Sequence, residues 1–201
     1  MSSLESPIPG STKGKLLVAT PPLADPNFDR TVVFMLEHTD DGAVGVVINR
    51  PTPFPLPEGV ERWEDRLDGP STLFEGGPVE LDALIALARR QGTPEPIVNP
   101  DEDDEDTGWS IVVGDIGSVD LAMDPAIAGA GVTHLRVFRG YSGWGPQQLD
   151  GELSEGAWMV LPAESDDVFT TDPEDLWRAV IRRQGGRIAW VANAPDDLSS
   201  N

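Results

Sequence analysis

The sequence contains no cysteine, which excludes disulfides, thiolate metal ligands, iron–sulfur clusters and cysteine nucleophiles. Cations are also scarce, since 14 Lys and Arg residues stand against 35 Asp and Glu residues and give a net charge of -21. Non-specific binding to nucleic acids depends on Lys and Arg side chains that neutralise phosphates. Direct nucleic-acid binding is therefore disfavoured.

Long hydrophobic runs are absent as well. The longest, residues 43–48, is the length of a strand, whereas a helix that crosses a bilayer needs about 20 apolar residues. The first ten residues have neither the basic start nor the apolar stretch of a signal peptide. We expect a cytoplasmic protein with no membrane contact.

The length of 201 residues and the hydrophobic fraction of 39% predict one domain with a real core. We expect a flexible N-terminal segment over residues 1–13, a single domain over 14–194 and a C-terminal tail over 195–201. Six consecutive acidic residues, 101–106, follow three prolines. This composition predicts a solvated acidic loop inserted at about residues 94–108.

Short runs rich in β-branched residues and bounded by Pro, Asp and Gly predict strands. These runs cover residues 15–19, 31–37, 43–49, 72–75, 109–113, 118–122, 133–138, 157–161 and 187–191. The Asp40-Asp41-Gly42 connector predicts that the second and third strands form a hairpin. Residues 51–57 carry Pro at every other position, which predicts an extended, irregular segment.

Helical patterns are fewer and cover residues 60–67, 124–130, 146–154 and 173–184. In the last of these, Asp172 can cap the helix, Pro173 suits its first turn, and two glycines follow it. Residues 81–90 are ambiguous because their composition favours a helix while strands surround them. We expect an α+β domain built on one large mixed, largely antiparallel sheet with a few flanking helices.

The order of several motifs resembles the YqgE/AlgH family over nearly the whole chain from about residue 14. In the N-terminal half these motifs are residues 14–21, 25–33, 42–51 and Gly76-Gly77-Pro78; in the C-terminal half they are residues 139–144, Gln148-Leu149 and Gly156-Ala157-Trp158. The resemblance implies a compact α+β cytosolic bacterial protein of a family without an assigned biochemical activity. One member's name links the family to regulation of alginate production, which implies a transcriptional regulator. The family usually has a strand after Gly-Gly-Pro, which favours a strand at residues 81–90.

Catalytic patterns are weak in this sequence. The motif around Ser142 has Trp144 where a nucleophile elbow has its last glycine. Neither His38 nor His134 has a second ligand-type residue at metal-binding spacing, and no glycine pattern fits a nucleotide, so we expect no metal and no cofactor. A hydrolase that uses His38 with Asp25 or Ser142 stays open as an alternative. Weak polar-site candidates are Asp25, Asn27, Arg30 and His38.

Polar and aromatic residues at the ends of predicted strands are candidates for ligand or partner binding. They are Asn49, Arg50, Tyr141, Trp144 and Gln148, which we expect around one shallow groove. Alternatively, Tyr141 and Trp144 cover the core while Arg50 balances nearby carboxylates. Our first functional hypothesis is a non-enzymatic binding or regulatory protein that acts through an unknown protein partner or a small ligand.

Overall fold

The computed structural model describes residues 10–21, 23, 25–67, 72–92 and 108–193. The acidic run at 101–106, the C-terminal tail at 195–201 and most of the N-terminal segment lie outside the described residues. Within the described ranges the strands are β1 (Lys15–Ala19), β2 (Val32–Thr39), β3 (Gly42–Val47), β4 (Pro51–Pro55), β5 (Thr72–Glu75), β6 (Val79–Arg90), β7 (Trp109–Val113), β8 (Ile116–Val119), β9 (Val132–Trp144) and β10 (Trp158–Pro162). The α-helices are α1 (Gln148–Ser154), α2 (Ser165–Val168) and α3 (Leu176–Arg182), and 3-10 helices cover Glu61–Arg66 and Ile188–Asn193.

One sheet joins all these strands. Its main path runs β10-β1-β2-β3-β9-β6-β8-β7, with antiparallel pairing at every step, and β5 joins β9 in parallel and carries β4 on its other side. A Cβ on Gly14, next to β1, would lie 2.7 Å from Cβ of Val113 in β7. The sheet is therefore curled, so that its two ends approach each other. This is the α+β fold expected from the sequence.

The hydrophobic core lies on the faces of this sheet in three clusters. The largest places α3 against the N-terminal strands through Trp177, Val180 and Ile181. A second cluster packs Leu149 of α1 against β2 and β3, and a third packs Trp63 of the first 3-10 helix against β6 and β9. Each helical segment thus covers a part of the sheet that would otherwise expose apolar side chains to water.

Several expectations need correction. Residues 187–191 form a turn and the start of the 3-10 helix Ile188–Asn193 rather than a strand, because Gly185 and Gly186 adopt positive φ and turn the chain back against α3. Residues 124–130 form successive turns rather than a helix. Residues 51–55 form strand β4, although its prolines leave only two register pairs, Pro51 with Phe74 and Pro55 with Thr72. By contrast, the strand that the family resemblance favoured at residues 81–90 is confirmed, since this segment belongs to β6.

Candidate functional site

The sheet branches at β9, and this branch creates a crevice. One edge of β9 pairs with β6, while the other pairs first with β5 and then with β3. Gly76 lies just past β5 and bridges β9 and β3: its N–H donates to Arg139 O, and its carbonyl accepts from Val47 N, both at 2.8 Å. Just past the end of β3, Arg50 O accepts from Glu75 N at 2.9 Å, and a space opens beside these two linked segments.

A cavity of about 150 Å³ occupies this space, and we call it the Arg50 pocket. It is lined by Asn27, Val47, Arg50, Glu75, Gly77, Pro78 and Leu81. The Arg50 guanidinium donates through Nη2 to Pro26 O and Asp29 O, at 3.4 Å each. It forms no salt bridge with any carboxylate of the described residues. Two backbone carbonyls thus orient this cation at the cavity.

Asn49 fixes the loop that forms one wall of the pocket. Its side-chain oxygen accepts from Val32 N at 2.8 Å, and its Nδ2 donates to Arg30 O at 2.9 Å. Just past the end of β3, the Asn49 side chain thereby makes the hydrogen bonds to the chain at the start of β2 that backbone groups make within a sheet. Asn49 is a positioning residue for the loop rather than a group that faces the cavity.

The same loop carries the remaining polar-site candidates Asp25, Asn27 and Arg30, and it places them in different surroundings. Asp25 Oδ1 accepts from Asn27 N at 2.8 Å, which closes a turn and presents Asn27 at the pocket. Arg30 adopts a φ of 50° and lies over the ring of Trp177, with Cζ 5.1 Å from the ring centroid. Arg30 therefore packs on the core, while Asn27 reaches the cavity.

A bulge in β6 forms the opposite wall. Val79 pairs with Tyr141 and Leu84 with Arg139, so residues 80–83 of β6 lie opposite the single residue Gly140. The extra residues place the exposed side chain of Leu81 at the cavity. Bulges of this kind redirect side chains next to sites.

Tyr141 contacts this bulge through Glu80. Its hydroxyl lies 3.3 Å from Oε1 of Glu80, which it meets as a hydrogen-bond donor. The pKa of the Tyr141 phenol is raised above its ordinary value, first by desolvation and then by the charge and the hydrogen bond of the Glu80 carboxylate. All three effects favour the neutral phenol that donates to Glu80.

Gly77 lines the pocket with backbone atoms, because it has no side chain. Its φ is 150°, and a Cβ at this position would lie 2.3 Å from the carbonyl oxygen of Tyr141. Any other residue would push β9 away from the segment after β5. The Gly-Gly-Pro sequence thus allows the close approach that closes the crevice underneath.

Trp144 and Gln148 lie in a different arrangement, which we call the Glu152 cluster. Oε2 of Glu152 accepts from the indole N–H groups of Trp144 and Trp158, at 2.9 and 2.8 Å. Oε1 accepts from Gln148 Nε2 at 3.0 Å. Phe28 packs against both indoles, with centroids 6.3 Å from Trp144 and 5.3 Å from Trp158.

The Glu152 cluster is a satisfied part of the core. Trp144 is 6% exposed and Trp158 is 4% exposed, and the polar atoms of both indoles have a partner. The structure therefore brings Arg50 and Asn27 together at the pocket, with Tyr141 beneath its wall. It places Trp144 and Gln148 in the Glu152 cluster.

His38 is a buried structural residue, 3% exposed. Its Nδ1 accepts from Thr12 N at 3.2 Å and lies 3.1 Å from Thr12 Oγ1. The ring proton of the neutral form must then lie on Nε2, which is 3.9 Å from Oδ1 of Asp150.

Ser142 is fully buried, and its hydroxyl donates to Gly76 O at 3.2 Å. Among the described residues, Ser142, His38 and Asp25 form no hydrogen bond with one another. A serine hydrolase needs a nucleophile in contact with its base and open to substrate. No observation favours the hydrolase alternative over a binding role.

Three residues beside the pocket escaped the sequence reasoning: Phe54, Glu75 and Arg139. Arg139 lies directly opposite Glu75 across the parallel β5–β9 pair, and its Cζ lies 5.4 Å from the ring centroid of Phe54. Glu75 stands next to the Gly76-Gly77-Pro78 motif and Arg139 begins the 139–144 motif, which is the only signal that could have marked them. No local pattern in the sequence indicates that β5 and β9 pair in parallel.

Other site types lack support in the part of the chain that is described. It contains no group of three or more His, Cys, Asp or Glu residues that could hold a metal ion. A second cavity, of about 270 Å³, is lined by residues of β7 and β8 and by Asp120, and has no cation in its lining. None of the described helices is long and apolar enough to cross a membrane.

Known proteins resemble this chain along nearly its whole length. A family model described as AlgH-like matches residues 16–189. UPF0301 proteins from Streptomyces avermitilis and Streptomyces coelicolor are each 48% identical to it over 191 residues, covering 95% of this chain and 96% of the relative.

Solved structures agree with the sequence relatives. A Corynebacterium diphtheriae protein matches with a TM-score of 0.79 and 26% identity, covering 90% of this chain and 91% of that protein. The AlgH protein of Pseudomonas aeruginosa matches with a TM-score of 0.65 and 28% identity over 96% of this chain and 99% of AlgH. The chain therefore belongs to the YqgE/AlgH family, also called UPF0301.

Proposed function

We propose that this protein is a non-enzymatic binding protein whose Arg50 pocket captures a carboxylate of a small ligand or of a partner protein. The observation that carries this proposal is the Arg50 guanidinium, which lines a crevice without a salt bridge to any described residue. Arg62, Arg66 and Arg90 likewise bond to backbone carbonyls and to no carboxylate of the described residues, but Arg50 differs from them because it lines this cavity.

The chemistry of the guanidinium suits this role. Arginine presents five N–H donors in a planar fork, and two parallel hydrogen bonds to a carboxylate match that fork. Pro26 O and Asp29 O hold the side chain by Nη2, so the remaining donors can meet a ligand. Because the group is oriented beforehand, binding costs less side-chain entropy.

Titration of the 15N-labelled protein with sodium succinate tests the proposal. We expect saturable amide shifts at Arg50, Gly76 and Gly77, and we expect Arg50→Gln to abolish them. Arg182→Gln is the matched control, because Arg182 is an exposed arginine paired with Asp175 on α3. Sodium chloride at equal ionic strength controls for salt.

The proposal fails if succinate shifts the same amides equally in wild type and Arg50→Gln. It also fails if sodium chloride alone reproduces the shifts. Thermal unfolding of Arg50→Gln shows whether the variant is folded, so that a loss of shifts reports on binding.

The regulatory role suggested by the family would then operate through this binding event in the cytoplasm, without direct contact to DNA. The net charge of -21 repels the phosphates of duplex DNA. Salt screens this repulsion, but it does not supply the Lys and Arg contacts to phosphates that binding needs. Fluorescence anisotropy with a labelled random duplex should show no binding at physiological salt. Micromolar binding that falls steeply with added salt would reveal a basic face and contradict this view.

A further inference from the structure

A row of side chains crosses three strands next to the Arg50 pocket. Glu75 of β5, Arg139 of β9 and Leu84 of β6 are direct partners in register, so their side chains lie on the same face of the sheet. Phe54 of β4 packs its ring against the Arg139 guanidinium. We call these four residues the Arg139 row.

Arg139 is incompletely bonded in this row. Its Nε is buried and has no hydrogen-bond partner among the described residues. Although Glu75 lies opposite, the two side chains form no salt bridge. A partly desolvated guanidinium that lacks an acceptor gains more from a carboxylate than one surrounded by water.

Apolar surface surrounds this cation. Phe54 is 51% exposed, and Leu84 is also among the exposed large hydrophobic residues. Leu81, another exposed residue, projects from the β6 bulge and lines the Arg50 pocket together with Glu75. The Arg139 row and the Arg50 pocket are therefore continuous through Glu75, which belongs to both.

We infer that the Arg139 row docks an extended segment of a partner protein that carries an acidic residue beside an aromatic or aliphatic one. The carboxylate would meet Arg139, and the apolar side chain would pack on Phe54 and Leu84. This inference rests on the proposed function and names the class of partner for the same site.

The dimensions favour a protein segment over a small metabolite. Neighbouring strands are about 4.8 Å apart, so the row from β5 to β6 spans about 10 Å before the pocket is included. An extended peptide rises about 3.3 Å per residue and places alternate side chains on one face. About three residues of such a peptide span the row, and further residues can extend along the adjoining pocket.

Selection from a library of random heptapeptides displayed on phage tests this inference. We expect selection on the wild-type protein to enrich peptides with Asp or Glu adjacent to Phe, Leu or Trp. If the library is first incubated with immobilised wild-type protein and the bound phage are discarded, these peptides should be lost. If it is first incubated with the Arg139→Gln, Phe54→Ser double variant, they should remain. Enrichment of basic peptides, or no enrichment at all, overturns the inference.

Binding of an enriched peptide, fluorescently labelled, gives the quantitative test. Arg139→Gln and Phe54→Ser should each weaken its affinity at least tenfold. Phe54 is exposed, so the second variant keeps the test valid if the first is poorly folded. Ile111→Ser is the matched control, since it removes an exposed hydrophobic residue on the edge strand β7 and should leave the affinity unchanged.

The remaining outcomes separate this inference from the proposed function. Succinate shifts at Arg50 without peptide binding would mean that the pocket takes small ligands only, which overturns the inference and supports the proposed function. Dimerisation of wild type in sedimentation experiments, lost in Phe54→Ser, would mean that a second copy covers the row, and this also overturns it. Absence of both succinate shifts and peptide binding contradicts both proposals.

Discussion

The Glu152 cluster and the Arg50 pocket derive from the same kind of sequence signal, polar and aromatic residues where strands end, yet they differ in how their polar groups are bonded. In the cluster, one carboxylate accepts from two indoles and an amide. At the pocket, Arg50 and Glu75 line a cavity with no salt bridge among the described residues. Hydrogen-bond satisfaction, rather than residue type, separates core from candidate site.

The largest expected effect comes from removing an indole of the Glu152 cluster. Trp158→Ala should lower the free energy of unfolding by about 3–5 kcal/mol, because it leaves a cavity in a buried aromatic group. Urea denaturation followed by circular dichroism measures this loss. A loss below about 1 kcal/mol would show that the cluster is looser than its burial indicates, and the comparison would break.

Removing the shared acceptor should have the next largest effect. Glu152→Ala should cost about 1–3 kcal/mol, because two buried indole N–H groups lose their partner. Glu155→Ala, at the exposed C-terminal end of α1, is the control and should stay within about 0.5 kcal/mol of wild type. If both variants unfold at the same urea concentration, water replaces Glu152 as the acceptor without loss of stability. The indole N–H groups of the cluster would then be accessible to solvent.

At the pocket we expect the reverse pattern. Arg50→Ala should change the free energy of unfolding by no more than about 1 kcal/mol, since the side chain makes two long hydrogen bonds at an accessible site. The same variant should lose the succinate-induced shifts. A larger loss of stability, with the shifts retained, would assign Arg50 to the loop's structure and not to binding.

The smallest expected effect is on the titration of Tyr141. The protein has one tyrosine, so absorbance at 295 nm reports this phenol alone. Glu80→Gln should lower the pKa of Tyr141 towards its ordinary value while leaving it raised, because desolvation remains the largest cause of the shift. Because the folded-state pKa is raised, the associated stability is present below the ordinary pKa of tyrosine and is lost as alkaline pH passes the folded value. An unchanged titration in Glu80→Gln would mean that the Glu80 carboxylate does not contact Tyr141 in solution. The hydrogen bond between Tyr141 and the β6 bulge would then be absent.

Local signals in the sequence predicted the elements whose partners lie close along the chain. The Asp-Asp-Gly connector predicted the β2–β3 hairpin, and the 172–185 pattern predicted α3, although this helix begins at Leu176 with Asp175, and not Asp172, at its N-cap. The expected range of β9 ended at residue 138, whereas the strand runs to Trp144, because its second half is defined by pairing with β3 far earlier in the sequence. Likewise, its position after a predicted strand made Arg50 a candidate, but Glu75 and Arg139 become neighbours only through a parallel pair that tertiary structure creates.

The position of β1 has a consequence for synthesis of the protein. Lys15 of β1 pairs with Pro162 of β10, so most of the chain must be translated before one side of this almost wholly buried strand receives its neighbour. Until then an apolar strand edge is open to wrong partners on the ribosome. Such long-range pairing also slows folding relative to chains with local contacts. We therefore expect the native sheet to close only after β10 has been translated, and the nascent chain to be most prone to aggregation before β10 emerges.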